Sequence, residues 1–535
     1  MRVEDKFEGN LLDYAGKLSD YYSNVRNADI RKFKGQFFTP QQVGKFMANL
    51  FEINKNKIEL LDPGAGTGML SCAFCDRLLD KEESVSLNID AYENDPGLIP
   101  LLKKTLEACR DELQKRGHEL NFKIYEQDFI LHNAMYFKKN DLFGDQILKL
   151  YDFVLSNPPY YKLNKNSPQS TVMIDLISGQ PNIYALFMAL STSMLKTGGE
   201  LVFITPRSFC SGLYYKRFRE WFLDNTQILH IHIFESRKDI FDKDCVLQEN
   251  IIIKAKKVNK GEKKNPKVTI SKSKDKLFKK VEKINFSYSD IIHHKNRDVV
   301  IRIPTSEIDN KVLSIIDSWP NTLHSLGMEI STGPVVPFRA KEYLLEKYHQ
   351  TEMEAPLLWM HNIQDMKVIW PTKKNNKELA ISICPETRVL LLPRKNYVLV
   401  KRFSSKEQKR RLYAGILSAS EIEHDVIGLE NHVNYIHKPK RELSVDETHG
   451  LASLLNSSIV DNFFRSVNGN TQVNATDIRL LPLPRIDKIR EIGNYVRKTQ
   501  PKIGFELDSI ILNILNIDRE IINRINEGEK EYEQD

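Results

Sequence analysis

Two consecutive prolines, Pro158 and Pro159, follow the apolar run Tyr151-Asp-Phe-Val-Leu-Ser156 and stand between Asn157 and Tyr160. Proline has no backbone N–H and a fixed φ, so neither residue can continue a paired strand or a helix. The run is predicted to be a strand that ends at Ser156 and passes into a stiff loop with the Asn157 amide and carbonyl oxygens as its polar equipment. Earlier in the chain a second apolar run, Ile58-Glu-Leu-Leu61, leads into Asp62-Pro63-Gly64-Ala65-Gly66-Thr67-Gly68. Glycine at 64, 66 and 68 lets the backbone turn tightly and approach a ligand, and the next helix offers its positive N-terminus.

From residue 58 strand-like and helix-like segments alternate. Strands are predicted at Ile58–Leu61, Val85–Tyr92, Phe122–Tyr125, Tyr151–Leu155 and, after Gly198-Gly199, Glu200–Thr205. Helices are predicted at Met69–Leu79, Gly97–Arg116 and, as a strongly amphipathic segment, Ile183–Leu195. Ile228–Phe234 and Glu249–Lys254 read as late strands of the same domain. This rhythm implies βαβ units and a mainly parallel sheet. It breaks in the lysine-rich stretch that follows. Residues 300 to 485 are shorter and β-leaning, with Arg388–Pro393 and Tyr397–Arg402 placed like a hairpin around Arg394-Lys-Asn396. From Asp487 to about Glu527 the pattern is helical, interrupted near Pro501. At 535 residues the chain exceeds one core. The expected organisation is an α/β domain over 1–290, a β-rich domain over 291–485 and a helical segment over 486–535.

Hydrophobic residues at 41% and charged residues at 28% describe a globular protein. The N-terminus has no apolar core of a signal peptide, and no stretch approaches the roughly 18 apolar residues of a membrane span, so a cytoplasmic location is expected. Six cysteines are scattered, and the lone Cys72-x-x-Cys75 is read as reduced thiols with no metal site. The net charge is +7, yet Lys254 to Lys283 alone carries thirteen lysines against three acids, a local +10. This run reads as a solvated loop in part, but lysines also approach a polyanion at low cost, because neutralised phosphates release counterions.

A glycine loop of this kind serves several nucleotide cofactors. Glu93, ending the second strand, can accept two hydrogen bonds from a ribose diol, equally in NAD or in S-adenosylmethionine. Asp128 could accept from an adenine amine, with Phe129 against the ring face. Asn157 through Tyr160 narrows the choice. An exocyclic amine conjugated with its ring is a poor nucleophile. Two acceptors, the Asn157 side-chain oxygen and the Pro158 carbonyl, could bind its two hydrogens and favour a tetrahedral nitrogen, which is differential transition-state binding. Tyr160 would supply a stacking face. A dinucleotide oxidoreductase has no role for these residues.

With those motifs in place, the chain resembles the amino-methylating DNA adenine methyltransferases of restriction–modification systems, in the γ order of cofactor motifs, Asn-Pro-Pro-Tyr, then recognition domain. Lys34-Gly-Gln-Phe-Phe-Thr39-Pro40 resembles the family's N-terminal motif. Asp62–Gly68, Glu93, Asp128-Phe129, Asn157–Tyr160, and Leu201-Val-Phe-Ile-Thr-Pro-Arg207 continue the match. Gly450–Ser457 and Leu480-Leu-Pro-Leu-Pro484 resemble the end of its recognition domains. The resemblance implies a Rossmann-like S-adenosylmethionine-dependent catalytic domain, a C-terminal target-recognition domain, and methyl transfer to N6 of a flipped adenine in duplex DNA. It implies Thr39, Asp62, Gly64, Gly66, Gly68, Glu93, Asp128 and Phe129 as cofactor residues. Asn157, Pro158, Pro159, Tyr160 and Phe241 would be the target-base residues, Phe241 as a second aromatic against the adenine. The partners implied are double-stranded DNA and a separate restriction endonuclease, with no membrane, no obligate protein partner, and a bacterial or archaeal cytoplasm.

Protein glutamine poses the same lone-pair problem, but a methyltransferase of that kind needs neither the basic segment nor a large β-rich domain. RNA adenine methylation stays open on chemistry alone. A binding protein or specificity subunit that kept the fold without turnover would not need Asp62, Glu93, Asn157, Pro158 and Tyr160 together. Arg388, Arg394, Lys395, Lys401 and Arg402 are candidate DNA contacts or a solvated surface.

Overall fold

A computed structural model describes residues 9–26, 34–137, 148–176, 179, 181–235, 249–259, 261–262, 267–295, 298–372, 377–404, 408–469, 472–518 and 520–521. The chain divides into two compact units, Met1–Thr305 and Ser306–Asp535. Among the described residues no helix is long and apolar enough to cross a membrane.

Among the described residues the main sheet of the first unit has nine strands: β1 (Lys57–Pro63), β2 (Ser86–Tyr92), β3 (Glu119–Tyr125), β4 (Tyr151–Ser156), β5 (Leu195–Pro206), β6 (Thr226–Phe234), β7 (Asn250–Lys257), β8 (Lys267–Ser273) and β9 (Val281–Ser287). They lie in the order β3-β2-β1-β4-β5-β7-β6-β8-β9. β1 pairs in parallel with both β2 and β4, at Leu60↔Phe153 and Leu61↔Val154 in the second case. The strand order therefore reverses between β1 and β4, and in open α/β sheets the crevice beyond the strand ends at such a point is where ligands bind. β4 is buried at every residue, so its apolar run is continuous rather than alternating.

Among the described residues the longer helices of this unit are α1 (Leu11–Val25), α2 (Gln41–Asn49), α3 (Met69–Leu78), α4 (Ile99–Lys115), α5 (Ile183–Met194) and α6 (Lys216–Asn225). The sequence reading of α5 as amphipathic needs correction. Of its twelve residues only Ser193 is not buried. A helix this uniformly apolar is enclosed on all sides rather than half-exposed.

In the lysine-rich stretch the described residues 258–259 and 261–262 lie between strands, where an exposed turn was expected, but most of the rest is sheet. β7 runs to Lys257, and β8 and β9 form an antiparallel pair through it. Val268, Ile270 and Phe286 are buried while lysines occupy outward positions. Several lysines are structural: Lys254 pairs with Glu200 at 3.0 Å, and Lys257 donates to the Ser193 and Leu195 carbonyls. Cys72, Cys75 and Cys109 are buried core thiols.

In the second unit the described residues form a six-stranded sheet, a five-stranded sheet and helices. The hairpin expected around Arg394-Lys-Asn396 is absent. Leu391–Pro393 pairs with Val426–Leu429 in one sheet, and Tyr397–Lys401 pairs with Ala414–Leu417 and Val433–His437 in the other. The link is held elsewhere: the Asn396 amide group donates to the Leu443 carbonyl and its oxygen accepts from Ala419 N. Tyr397–Val400 is buried, whereas Leu391–Pro393 is only partly covered and belongs to the other sheet.

The helices α7 (Glu307–Asp317), α8 (Val445–Leu455), α9 (Ser458–Val467), α10 (Ile486–Thr499) and α11 (Phe505–Leu515) contribute to one apolar core in this unit. The break between α10 and α11 falls at Gln500, in left-handed backbone just before Pro501. α8 and α10 cross at two glycines. A Cβ on Gly450 would stand 1.9 Å from the Ile489 carbonyl oxygen, and one on Gly493 1.8 Å from that of Asp446. Backbone cannot yield as a side chain does, so Gly450→Ala or Gly493→Ala is expected to destabilise the second unit by at least the roughly 1–3 kcal/mol of an overpacked core. Urea unfolding checks this, and wild-type stability in both variants would contradict the close crossing.

Candidate functional site

The two loops singled out in the sequence meet at the reversal point. A Cβ on Gly64 would lie 3.8 Å from both the Asn157 carbonyl oxygen and Pro159 Cδ. The hydroxyl of Ser156 donates to the Pro63 carbonyl at 2.6 Å, joining the end of β4 to that of β1.

On the β1 side, Gly64 N and Ala65 N both donate to the Tyr92 carbonyl at 2.9 Å. Gly64, Gly66 and Gly68 have φ of 76°, 59° and 87°, the left-handed region that L side chains avoid. Asp62 is fully buried, its Oδ2 accepting from Ser71 Oγ at 2.6 Å while its Oδ1 has no partner among the described residues. Burial pushes its carboxyl up to about 7, with the Ser71 hydrogen bonds opposing and the nearby Glu93 adding to the rise. Glu93 Oε2 accepts from Gly66 N at 2.9 Å and Oε1 from Asp95 N at 2.8 Å. Burial raises the Glu93 carboxyl too, opposed by these amides.

Asp128 ends the β3 side of the crevice. Its Oδ1 caps the turn at Leu131 N, and its Oδ2 accepts from Gln169 Nε2, both at 2.9 Å. Phe129 is buried, with ring centroids 5.1 Å from Tyr92 and 5.0 Å from Phe187. A carboxylate oxygen accepts more than one hydrogen bond, so Glu93 and Asp128 retain acceptor capacity. The orphaned Asp62 Oδ1 is a buried acceptor that a cationic ammonium would satisfy. The residues present therefore fit S-adenosylmethionine, whose amino-acid end and ribose diol call for such acceptors.

On the β4 side, the Asn157 amide nitrogen donates to the Phe37 carbonyl at 2.7 Å and to Thr39 Oγ1 at 3.0 Å. Both amide hydrogens are thus used, which fixes the side-chain oxygen on the opposite side. That oxygen lies 2.8 Å from the Tyr160 hydroxyl, which is also 2.8 Å from the Ile204 carbonyl. Burial pushes the Tyr160 phenol well above its ordinary value, so it is a neutral donor with one proton for two acceptors. Its ring packs against Phe37 at 5.6 Å and meets Tyr184 edge-on at 6.4 Å.

The N-terminal motif reaches this loop through residues whose roles the sequence reading did not assign. A Cβ on Gly35 would stand 2.7 Å from Tyr160 N, and the Gly35 carbonyl accepts from that nitrogen. Lys34 and Gln36 both donate to Asp95 Oδ2, at 2.9 and 3.1 Å. Burial raises the Asp95 carboxyl, but hydrogen bonds from Lys34, Gln36, Gly97 N and Tyr22 outweigh it and hold it near about 2. Asp95 was visible as a second acid two residues after Glu93; its partners, sixty residues upstream in sequence terms (Lys34 and Gln36), were not. Phe241 lies outside the described residues. Arg207 is buried beside Glu249 at 3.1 Å. In the second unit Lys401 lies over the Tyr413 ring, Arg402 donates to the Asn431 carbonyl, and Arg394 is 3.4 Å from Asp425.

Residues 78–241 match the family model described as Eco57I restriction-modification methylase. The chain is similar to the Type II methyltransferase M.BsuBI of Bacillus subtilis, with 36% identity over 91% of this chain and 94% of that protein. It is similar to the Type II methyltransferase M.PstI of Providencia stuartii, with 35% identity over 87% and 90% respectively. Its fold is similar to that of a nuclease-deletion mutant of the Type ISP restriction-modification enzyme LlaGI, solved with a DNA substrate mimic. There the TM-score is 0.50, identity is 12%, and coverage is 86% of this chain and 47% of the other.

Asp62 carries a pH prediction. Its folded carboxyl sits at about 7 against an ordinary 3.8, so its contribution to stability is intact at low pH and is lost as pH rises through about 7. A cationic ligand favours the ionised form, so S-adenosylmethionine should bind more tightly as pH rises from about 6 to about 8. Calorimetry on wild type and Asp62→Asn checks this. The variant should bind weakly and without that rise; an unchanged pH profile would remove Asp62 from the cofactor site.

Proposed function

The chain belongs to the type II restriction–modification methyltransferases, and from that premise we propose that it methylates N6 of a specific adenine in duplex DNA, the base being flipped into the first unit. It is a DNA methyltransferase whose cofactor is S-adenosylmethionine. In this reading the modification protects a sequence from a separate cognate endonuclease, and the second unit reads that sequence.

The observation that carries the adenine reading is the fixed amide of Asn157. Its nitrogen is spent on Phe37 and Thr39, so only its oxygen can face a substrate. An amine with two hydrogens finds acceptors in that oxygen and in the Pro158 carbonyl. Both acceptors gain strength as positive charge develops on the amine nitrogen, so they favour the transition state over the ground state. The Tyr160 hydroxyl can give its proton to Ile204 instead, which releases the Asn157 oxygen for the amine at little cost. Bound S-adenosylmethionine supplies the activated methyl group, so the protein needs to orient and desolvate rather than to form a covalent bond. Asp62, Glu93 and Asp128 would hold the cofactor by its ammonium, ribose and adenine amine. Thr39, as an acceptor to Asn157, keeps its own hydroxyl proton to donate to the methionine end.

Methyl transfer from labelled S-adenosylmethionine to duplex DNA, followed by nucleoside analysis, tests the function. N6-methyladenine is the expected product; label in cytosine, or in RNA or protein alone, would overturn it. Asn157→Ala is expected to lower single-turnover rate about 10²–10³-fold, the cost of one comparable transition-state contact, with cofactor affinity nearly unchanged. A rate within threefold of wild type would contradict the role of the amide. Tyr160→Phe and Tyr160→Ala separate the hydroxyl from the ring. The first should cost about the 0.5–1.5 kcal/mol of one hydrogen bond, and the second should cost in addition about 1–3 kcal/mol if a base stacks there.

A further inference from the structure

One turn of the lysine-rich segment anchors a single aromatic residue on the core and turns lysines outward. Between β8 and β9, Lys274 to Lys280 carries four lysines and one acid, Asp275. We propose that this turn is a phosphate-contact site of the catalytic unit, gripping the DNA backbone beside the target base independently of sequence.

Three observations carry the assignment. The first is position. β5 runs parallel to β4, β7 is antiparallel to β5, β6 antiparallel to β7, and β8 parallel to β6. The end of β8 therefore lies on the same edge of the sheet as the end of β4, where Asn157 stands. Between them are the neighbours β5, β7 and β6, so four strand spacings place the turn about 19 Å from the Asn157 loop. That is roughly five to six phosphates along one DNA strand at about 3.4 Å of axis each.

The second is fixation. Phe278, at the centre of the turn, holds φ at 53°, a left-handed conformation that an aromatic residue rarely adopts. Its ring stacks on Phe46 of α2 at 4.3 Å and 8° between planes, and it meets Phe234 at 5.7 Å. Ser273 Oγ donates to the Asp275 carbonyl, and Leu277 N donates to the Asp275 carboxylate. A solvated lysine loop needs no such anchor, and uncommon backbone held in place by surrounding structure is found where a site is presented. The third is charge and exposure. Lys274, Lys279 and Lys280 are exposed. Glu282 lies 2.9 Å from Lys280 and shares Lys272 with Glu235. α2 itself begins directly after Thr39 and Pro40, so the turn is docked on the helix whose lead-in holds the Asn157 amide.

The inference depends on the chain acting on DNA, and not on which base is methylated. Its test is the salt dependence of binding for the triple variant Lys274→Gln, Lys279→Gln, Lys280→Gln on duplex DNA. Each phosphate contact contributes about 0.9 to the slope of log affinity against log salt, so three lost contacts should lower the slope by about 2.7. Wild-type affinity should then fall roughly 40-fold more than the variant's between about 50 and about 200 mM salt. Cognate and unrelated duplexes should weaken together, S-adenosylmethionine affinity should stay as in wild type, and the corresponding Arg variant should restore the slope. Lys279→Gln alone should lower the slope by about 0.9, which keeps the test open if the triple variant folds poorly. An unchanged slope, or a loss confined to the cognate sequence, would overturn the assignment.

Discussion

The first unit depends on how one carboxamide is held. Asn157 spends both amide hydrogens on acceptors from the N-terminal segment, the Phe37 carbonyl and the Thr39 hydroxyl. An amide side chain is ambiguous until its partners fix which end is which. Here they do so, and the oxygen is left as an acceptor at the end of β4. The prolines that follow keep the loop from moving with it. The arrangement obtains a directed acceptor from a neutral group, without a buried charge that would need its own compensation.

That clamp in turn needs the N-terminal segment to stay in place, and Asp95 does this work. It draws Lys34 and Gln36 to the end of β2, next to the Glu93 that closes the glycine loop. The glycine-loop side and the Asn157 side of the crevice are therefore connected through residues 34–39, which touch both. Gly35 must be glycine on two counts, its positive φ and the proximity of Tyr160 N. The same segment runs on into α2 and, through Phe46, to the lysine turn.

Much of this was legible in the chain. Apolar runs ended by Gly64 and by Pro158-Pro159 marked β1 and β4, because those residues can end a strand for only a few reasons. Asp62, Glu93 and Asn157 stood at strand ends, where open α/β sheets present their side chains. What the sequence hid was contact between distant segments. Nothing local says that Asn157 bonds to Phe37 and Thr39, or that Lys34 and Gln36 belong to Asp95. The lysine run is part loop and part strand: the described residues 258–259 and 261–262 lie between strands, as composition suggested, whereas beyond them the alternation of Val268 and Ile270 with Lys267 and Thr269 makes a strand. The expected hairpin at Arg394–Asn396 failed because Asn396 is bonded to Leu443 and Ala419, partners that local turn chemistry does not reveal. α5 looked amphipathic in a window, yet its few polar residues, apart from Ser193, are buried with the rest.

In the proposed mechanism Thr39 acts on the reaction through Asn157. A double-mutant cycle of Thr39→Val and Asn157→Ala, read by single-turnover methylation of duplex DNA, tests it most directly. Thr39→Val alone should slow the reaction about two- to tenfold, the worth of one hydrogen bond. In the Asn157→Ala background, with S-adenosylmethionine saturating so that the Thr39 contact to the cofactor does not limit the reaction, the same change should have no further effect on rate. Full additivity of the two losses would contradict the clamp and leave Thr39 with a role separate from the amide.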